Sequence, residues 1–216
     1  MTLLADVQAV HEDADLLVLQ KPAGLLCVPG RGPDKQDCLS ARAQQHWPGA
    51  LIVHRLDQAT SGLVLMARHI DAQRRLSHAF AERQVHKRYQ AVVWGLLAAQ
   101  EGAWNEINLP IAADWERRPL RVIDPAHGKP SLTRWRLLGH HYAAGTSRIE
   151  LEPVTGRTHQ LRVHMAALGH PILGDALYAP AEVQAMAPRL LLHASHLAFA
   201  HPSTGEPLAL EWAADF

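Results

Sequence analysis

The amino-acid sequence predicts an α+β fold. Segments typical of β-strands outnumber those typical of helices, and the two kinds do not alternate regularly, as they would in a doubly wound sheet. Hydrophobic residues make up 48% and charged residues 19% of the 216 residues, which is ordinary for a globular protein and excludes a disordered chain. A chain of this length can bury a substantial core, either as one domain or as two closely packed lobes.

Each predicted element rests on an apolar run of suitable length or on helical spacing. Strands are predicted at 15–20, 62–67, 89–94, 132–138, 147–153, 190–199 and 207–212. Helices are predicted at 39–47, 72–83 and 158–168, the last ended by Gly169. Residues 100–127 are rich in Pro, Trp and Arg, which is typical of an inserted surface segment. We therefore expect a single domain, 1–216, of two closely packed lobes with a soft boundary in that segment.

Composition and local pattern indicate a cytoplasmic protein. The longest uncharged apolar run, residues 91–99, has nine residues and is too short to span a bilayer. Residues 1–6 lack the basic and apolar regions of a signal peptide. The two cysteines, Cys27 and Cys38, are expected to be reduced thiols rather than a disulfide, because disulfides are rare in the cytosol.

The distribution of charge is uneven although the net charge is zero. Residues 68–88 carry six Lys and Arg side chains against two carboxylates, and residues 117–136 carry six against one. Local basic patches of this kind attract phosphates. Solvated surface faces have the same composition, so charge alone leaves both interpretations open.

The most unusual local sequence is Val53-His-Arg-Leu-Asp-Gln-Ala-Thr-Ser-Gly62, which places Asp57 on a loop held at both ends. Judged by residue type alone, the favoured interpretation is a turn in which Asp57 caps a neighbour and Thr60 and Ser61 bond their own backbone. Other catalytic motifs are excluded: Leu56 interrupts the kinase His-Arg-Asp, no Gly-x-Ser-x-Gly surrounds Ser61, and the loop at 30–35 lacks P-loop spacing.

Five stretches in the expected order resemble the motifs of the RluA-type pseudouridine synthases. They are Lys21-Pro-Ala-Gly-Leu25, His54-Arg-Leu-Asp-x-x-Thr-Ser-Gly62, Lys87-Arg-Tyr-Gln-Ala-Val-Val-Trp-Gly95, Thr155-Gly-Arg-Thr-His-Gln-Leu-Arg-Val-His164 with its continuation to Asp175, and Arg189-Leu-Leu-Leu-His-Ala194. One departure is Gln20, where asparagine is usual in the family. The resemblance implies the pseudouridine synthase fold, a mixed and mainly antiparallel sheet with flanking helices and a central RNA-binding cleft.

The resemblance is greatest to the short, RluA-like branch of that family. Asp114-Trp-Glu-Arg-Arg-Pro119, Met186-Ala-Pro-Arg-Leu190 and Ala214-Asp-Phe216 favour it, and no separate N-terminal S4-like RNA-binding module is expected before Asp15. Members of the branch modify 23S ribosomal RNA and the anticodon stem-loop of some transfer RNAs. The implied partner is structured RNA, and we expect a monomer that binds no membrane.

The resemblance also implies the roles of the catalytic residues. Pseudouridine formation breaks the N-glycosidic bond, rotates the uracil and attaches it again to the ribose through C5. The resemblance assigns the role of nucleophile in this reaction to Asp57. Arg157 lies opposite Asp57 and keeps its carboxylate ionised by opposite charge. Tyr89 stacks on the uracil. Removal of the C5 proton by Tyr89 is also implied, but for that role the alternative of a tyrosine that simply belongs to a half-buried strand stays open.

Eight further residues are predicted to contact RNA. The target uridine must be extruded from its stack, and Arg55 fills the vacated space or, alternatively, pairs with a phosphate. Leu192 packs against the extruded base, unless it is simply a core leucine. The remaining predicted RNA contacts are His54, Thr60, Arg74, Arg75, Arg88 and Arg118.

Neither a metal nor a cofactor is expected. The isomerisation involves no redox or phosphoryl chemistry. The pairs His159 with His164 and His193 with His196 are spaced so that their side chains point in different directions, and no His-Glu-x-x-His or paired Cys-x-x-Cys pattern occurs. His54, His159 and His193 are therefore expected to orient loops by hydrogen bonds.

Two other functions remain open at this stage. A hydrolase of N-glycosidic bonds would use Asp57 with a second carboxylate, for which Asp175 and Glu82 are the candidates. The second open function is that of an RNA-binding protein without catalytic activity. The presence of Asp57, Tyr89 and Arg157 together argues against it.

Overall fold

The computed structural model describes residues 7–216, so the expectation that residues 1–6 do not begin a signal peptide lies outside the described residues. The chain forms two compact units. Among the described residues, the first contains residues 7–86 and 194–215, and the second contains residues 87–193 and residue 216. The segment 100–127 lies within the second unit.

The described residues form twelve strands and four α-helices. In chain order they are β1 (Gln8–Glu12), β2 (Leu16–Lys21), α1 (Leu39–His46), β3 (Leu51–Ile52), β4 (Ser61–Ala67), α2 (Ile70–Ala81), β5 (His86–Trp94), β6 (Trp104–Asn108), β7 (Ile111–Ala113), β8 (Arg121–Ile123), β9 (Leu132–His141), β10 (Thr146–Pro153), α3 (Gln160–Ala167), α4 (Ala181–Ala185), β11 (Leu192–Ala200) and β12 (Pro207–Glu211). Every strand and helix predicted from the sequence is present with small shifts of its ends. The α+β class is confirmed. No helix of residues 7–216 is long and apolar enough to cross a membrane.

The first unit is built on the strand order β1-β2-β4-β11, with β3 on β4 and β12 on β11. Strands β2 and β4 pair antiparallel and are almost completely buried, because both are continuous apolar runs. Helix α2 turns Ala72 and Leu76 toward them. The core of this unit consists of Leu16, Val18, Leu63, Leu65, Ala67, Ala72, Leu76, Val85, Leu197 and Phe199.

Gly62 is required where β4 passes β11. Its φ is +114°, and an added Cβ would lie 2.3 Å from the carbonyl oxygen of Ala194. Both the backbone conformation and the close approach exclude a side chain. We expect Gly62→Ala to lower the free energy of unfolding by roughly 3 kcal/mol, measured by urea denaturation. Gly49→Ala is the control, because Gly49 also has positive φ but has no atom within 4 Å of the added Cβ. Equal losses would contradict the steric part of the argument.

The second unit has the antiparallel strand order β5-β10-β9-β6 and a separate hairpin of β7 and β8. Buried residues alternate along β9, from Thr133 through Trp135 to Leu137, so one face of this strand points inward. Helix α3 is buried over most of its length, including the polar side chains of Gln160, Arg162 and His164. Buried polar groups on a helix need partners, and each of the three has one.

Candidate active site and RNA-contact residues

Asp57 lies on the loop between β3 and β4. The backbone N–H of Thr60 donates to the carbonyl of Asp57 at 3.1 Å and closes a turn. Leu56 is buried, Arg55 is exposed and Asp57 is half-buried, so neighbouring side chains of the loop face in different directions. Thr60 is only 2% exposed. The turn that residue types alone suggested is therefore present, and the Asp57 carboxylate is carried on it.

The segment that follows β2 holds the Asp57 loop in place. Gly24 N–H donates to the carbonyl of Gln58 at 2.8 Å, and the Gln58 side chain donates to the carbonyl of Gly24 at 3.0 Å. The N–H of Leu56 donates to Sγ of Cys27 at 3.2 Å. The first two motifs of the sequence thus form one hydrogen-bonded structure. Cys27 is a free, buried thiol whose pKa is raised by burial.

Lys21 is the residue at this site that sequence analysis missed. Its side chain is 0% exposed, and its Nζ donates to the carbonyls of Pro22, Leu25 and Gln58 at 2.7–3.0 Å. A buried ammonium is tolerated because three carbonyls solvate it. Burial nevertheless lowers the pKa of Lys21 from 10.5 to about 8, and the neighbouring charges of Cys27 and Asp57 oppose that shift.

The lowered pKa of Lys21 predicts a pH-dependent stability. Between pH 8 and 10.5 the unfolded chain holds a proton that the folded chain has released, so folding is favoured as the pH rises through this window. Lys21→Met lacks this group. We expect the free energy of unfolding of the wild type, minus that of the variant, to rise by about 3 kcal/mol across the window in denaturant titrations. A difference that stays flat over the same pH range would refute the lowered pKa.

His54 anchors the start of the loop. Its Nε2 accepts from the N–H of Leu65 at 3.0 Å, and its ring stacks on Phe80 at 4.5 Å between centroids. This side chain therefore joins the loop to β4 and α2. Orientation by a hydrogen bond, as the sequence suggested, is confirmed for His54.

Arg157 lies on the loop before α3 in the second unit. Its Nε and Nη2 both donate to the carbonyl of Pro130 at 3.3 Å, and its N–H donates to Oε1 of Gln160 at 3.0 Å. Gln160 is 3% exposed and also bonds the carbonyl of Leu132, which fixes the loop to β9. His159 follows with φ +57°, and its Nδ1 lies 2.6 Å from the Tyr178 hydroxyl.

Tyr89 and Leu192 also belong to the second unit. Tyr89 is half-buried in the middle of β5, opposite Leu151 of β10. Leu192 is 3% exposed at the start of β11. The predicted catalytic residues are thus divided, with Asp57 in the first unit and Tyr89 and Arg157 in the second.

Several arginines of the two basic segments are paired within the protein. Arg74 lies 3.6 Å from Asp71, and Arg75 donates to the carbonyl of Pro202 at 2.7 Å. Arg88, Arg134 and Arg136 surround the Trp104 ring at 6.0, 5.3 and 4.9 Å. The same three arginines form ion pairs with Glu106, Glu150 and Glu152. Counting charges along the sequence therefore overstates the positive charge of the 117–136 segment.

One group of potential metal ligands occurs among residues 7–216, namely Asp13, Asp15 and His201. Its oxygens are engaged in other contacts: Asp13 accepts from the N–H groups of Asp15 and Leu16, and Asp15 from Ser203. Burial raises the pKa of Asp13, but the hydrogen bonds from His11 and from these N–H groups together outweigh it and lower the pKa to about 2. The group is thus explained as a hydrogen-bonded cluster that ties β1 and β2 to the turn before β12.

Asp175 forms a buried ion pair. Arg162 donates to it from Nε at 2.8 Å and from Nη2 at 2.6 Å, and the two side chains are 4% and 0% exposed. Asp175 also accepts from the N–H groups of Leu177 and Tyr178. A carboxylate with all its acceptor positions occupied and no access to solvent cannot serve as the second carboxylate of a hydrolase. This candidate from the sequence is therefore wrong.

Comparisons with known proteins give the family. The sequence profile of the RNA pseudouridylate synthase family matches residues 15–167. A protein of Pasteurella multocida named dual-specificity RNA pseudouridine synthase RluA is 48% identical over 93% of this chain and 90% of its own length. The protein of the same name from Escherichia coli K12 is 46% identical over 96% of this chain and 93% of its own length.

A solved structure agrees. Human RNA pseudouridylate synthase domain containing 1 superposes with a TM-score of 0.81 at 32% identity, covering 97% of this chain and 84% of that one. The five motifs, the α+β architecture and these relatives lead to one assignment. The chain belongs to the RNA pseudouridylate synthase family, in its RluA-type branch, and is an isomerase.

Proposed function

We propose that this protein converts specific uridines to pseudouridine in stem-loops of 23S ribosomal RNA, of the transfer RNA anticodon arm, or of both. The observation that carries the proposal is the identity of 48% and 46%, over nearly the whole chain, to two enzymes named for dual specificity. Residues 1–216 act as one catalytic domain and as a monomer. Its place of action is the cytoplasm, where both RNAs are found, and free buried thiols support a reducing compartment.

Asp57 is the nucleophile of the proposed reaction. Its half-buried position on a closed turn, braced through the carbonyl of Gln58 by Lys21, supports this role because a nucleophile must be held still while remaining reachable. Arg157 supplies the opposite charge, and its loop is fixed by Gln160. Tyr89 stacks on the uracil and takes the C5 proton. These residues need neither a metal nor a cofactor for an isomerisation.

RNA is held by the remaining predicted contacts. Arg55 is exposed beside Asp57, which suits a side chain that enters the space left by the extruded uridine. Leu192 and Thr60 are buried and act as walls rather than as charged contacts. His54 fixes the loop, and Arg74, Arg75, Arg88 and Arg118 contact phosphates. Arg74, Arg75 and Arg88 already have partners within the protein, which reduces the contribution of each to RNA affinity.

The test is to incubate purified protein with RNA labelled with tritium at C5 of uridine, using 23S ribosomal RNA and transfer RNA in separate reactions. Tritium release followed by mapping of pseudouridines identifies the modified positions. Modification of stem-loop uridines in either RNA supports the proposal. Free uracil as the product would show hydrolysis instead, and RNA binding without any release would show a non-catalytic protein.

A further inference from the structure

A cavity of about 660 Å³ lies within the second unit and is only partly used by the proposed function. Its walls come from β7, from β8, from the turn that follows β8 and from the loop before α3. The side chains that matter here are Trp115, Arg121, Asp124, Lys129 and Arg157, which all line it. Its volume falls in the range of roughly 300–1,000 Å³ that is typical of small-ligand pockets.

The cavity carries an excess of positive charge. Arg121, Lys129 and Arg157 line it, and neither Arg121 nor Lys129 forms an ion pair with a carboxylate of residues 87–193. This distinguishes them from Arg134 and Arg136, which are paired with glutamates. Cations that the protein leaves without a counter-charge are those that can pair with an external anion.

The one carboxylate that lines the cavity has a structural role. Asp124 Oδ1 accepts from the N–H groups of Ala126 and His127, both at 3.0 Å, and the N–H of Gly128 donates to its carbonyl at 2.8 Å. The hydrogen bond from His127 is the largest of the contacts that lower the pKa of Asp124. Gly128 has no room for a side chain, because an added Cβ would lie 2.4 Å from the Asp124 carbonyl oxygen. This tight turn delivers Lys129 to the cavity.

An aromatic surface stands at the edge of the cavity. Trp115 is 71% exposed, and the guanidinium of Arg118 lies 4.4 Å from the centre of its ring. Two hydrogen bonds hold the turn that carries Trp115, because Asp114 accepts from the N–H of Arg117 at 3.0 Å and from its Nε at 2.8 Å. An indole with one face under an arginine and most of its area exposed has its other face open. Such a surface is suited to stacking on a nucleobase.

The walls of the cavity are held in a fixed arrangement by Tyr178. Its hydroxyl accepts from the N–H of Arg121 at 3.0 Å and lies 2.6 Å from Nδ1 of His159. The guanidinium of Arg162, fixed by Asp175, lies 5.1 Å from the Tyr178 ring centre. One side chain therefore joins β8 to the loop of Arg157. A site arranged before its ligand arrives loses less entropy on binding.

We propose that this cavity is a subsite for a nucleotide that flanks the isomerised uridine in the RNA. The phosphate of that nucleotide lies between Arg121 and Lys129, and its base stacks on the open face of Trp115. Stacking makes the subsite tolerant of base identity. The inference rests on the proposed function for the identity of the ligand as RNA, and it adds a contact that Asp57 and the target uridine do not need for chemistry.

The first test measures RNA affinity against salt concentration with the full chain and a stem-loop that the wild type modifies. Trp115→Ala should weaken binding roughly tenfold to a hundredfold without changing the log–log salt slope, because it removes stacking. Lys129→Gln should weaken binding and reduce the slope by about 0.7–0.9, the value for one lost phosphate contact. Trp94→Ala, an exposed tryptophan outside the cavity, and Lys35→Gln are the matched controls.

The second test identifies the stacked base. Abasic nucleotides are placed one at a time beside the target, and affinity is measured for wild type and Trp115→Ala. At one position, removing the base should lower the affinity of the wild-type protein as much as Trp115→Ala does. The same abasic RNA should bind Trp115→Ala no more weakly than the intact RNA does, because the stacking contact is already lost. Trp115→Phe keeps a ring and should keep most of that affinity.

The results separate this inference from the proposed function. The subsite would be overturned if Trp115→Ala and Lys129→Gln bound RNA with wild-type affinity and salt slope. It would also be overturned if no abasic position were coupled to Trp115. Either result stands even if the wild type makes pseudouridine. A wild type that binds the stem-loop through Trp115 and Lys129 but makes no pseudouridine would support the subsite and overturn the proposed function. Circular dichroism of each variant confirms that the fold is intact.

Discussion

Asp57→Asn should lower the rate of pseudouridine formation by roughly four orders of magnitude or more. Folding and RNA affinity should stay close to those of the wild type. The amide has the shape of the carboxylate but is not a nucleophile, and losing a nucleophile has effects of this size in other enzymes. The bonds that close and brace the loop use the backbone carbonyls of Asp57 and Gln58, which the substitution keeps. Tritium release and RNA binding on one preparation measure both quantities.

The control for this variant is Asp34→Asn, which removes an exposed carboxylate from a different loop of the same unit. It should show wild-type activity. Contamination by wild-type enzyme is the main difficulty, so Asp57→Asn must be produced in cells that lack an endogenous RluA-type enzyme. Measurable turnover by such a sample would remove Asp57 from the role of nucleophile.

The sequence predicted the strongly apolar elements well and the polar ones poorly. Strands β2 and β4 are continuous runs of buried residues, and a buried run of that length has few alternatives to a strand. Strand β6 was missed because Trp104-Asn-Glu-Ile-Asn108 contains one buried residue, Ile107. Strands β7 and β8 have three residues each, which is too short for a period to be recognised. Their pairing depends on contacts that local sequence does not encode.

The residues proposed for the site were predicted from sequence motifs. The features that the sequence did not reveal depend on residues that are distant in sequence but close in space. Lys21 at the end of a strand has the sequence pattern of a surface lysine, yet three carbonyls from later residues enclose it. Arg134 and Arg136 counted as free positive charge, but their partners Glu152 and Glu150 come from the adjacent strand β10. Trp115 could not be recognised as exposed from its sequence, because tryptophan is highly buried on average.

Tyr89→Phe should separate stacking from proton removal. Phenylalanine keeps the ring, so base extrusion and most of the RNA affinity should remain, since Tyr89 is half-buried on β5 and the substitution fits its space. The hydroxyl is lost, so the C5 proton has no nearby base. Cleavage of the N-glycosidic bond and reattachment through C5 precede that step and can still occur. We therefore expect tritium release to slow by about two orders of magnitude or more, the scale of a lost general base.

Two further variants make the Tyr89 result decisive. Tyr142→Phe removes a hydroxyl from a tyrosine that is 74% exposed and should release tritium at the wild-type rate. Tyr89→Leu removes the ring as well, so it should lose RNA affinity in addition to the late step. Slow release by Tyr89→Phe assigns the proton to Tyr89 if binding is normal and cleavage of the N-glycosidic bond, measured separately, keeps its wild-type rate, because a slower earlier step would also delay tritium release. Release at the wild-type rate by Tyr89→Phe, together with weak binding by Tyr89→Leu, would leave Tyr89 a stacking residue and give the proton to water or to another group.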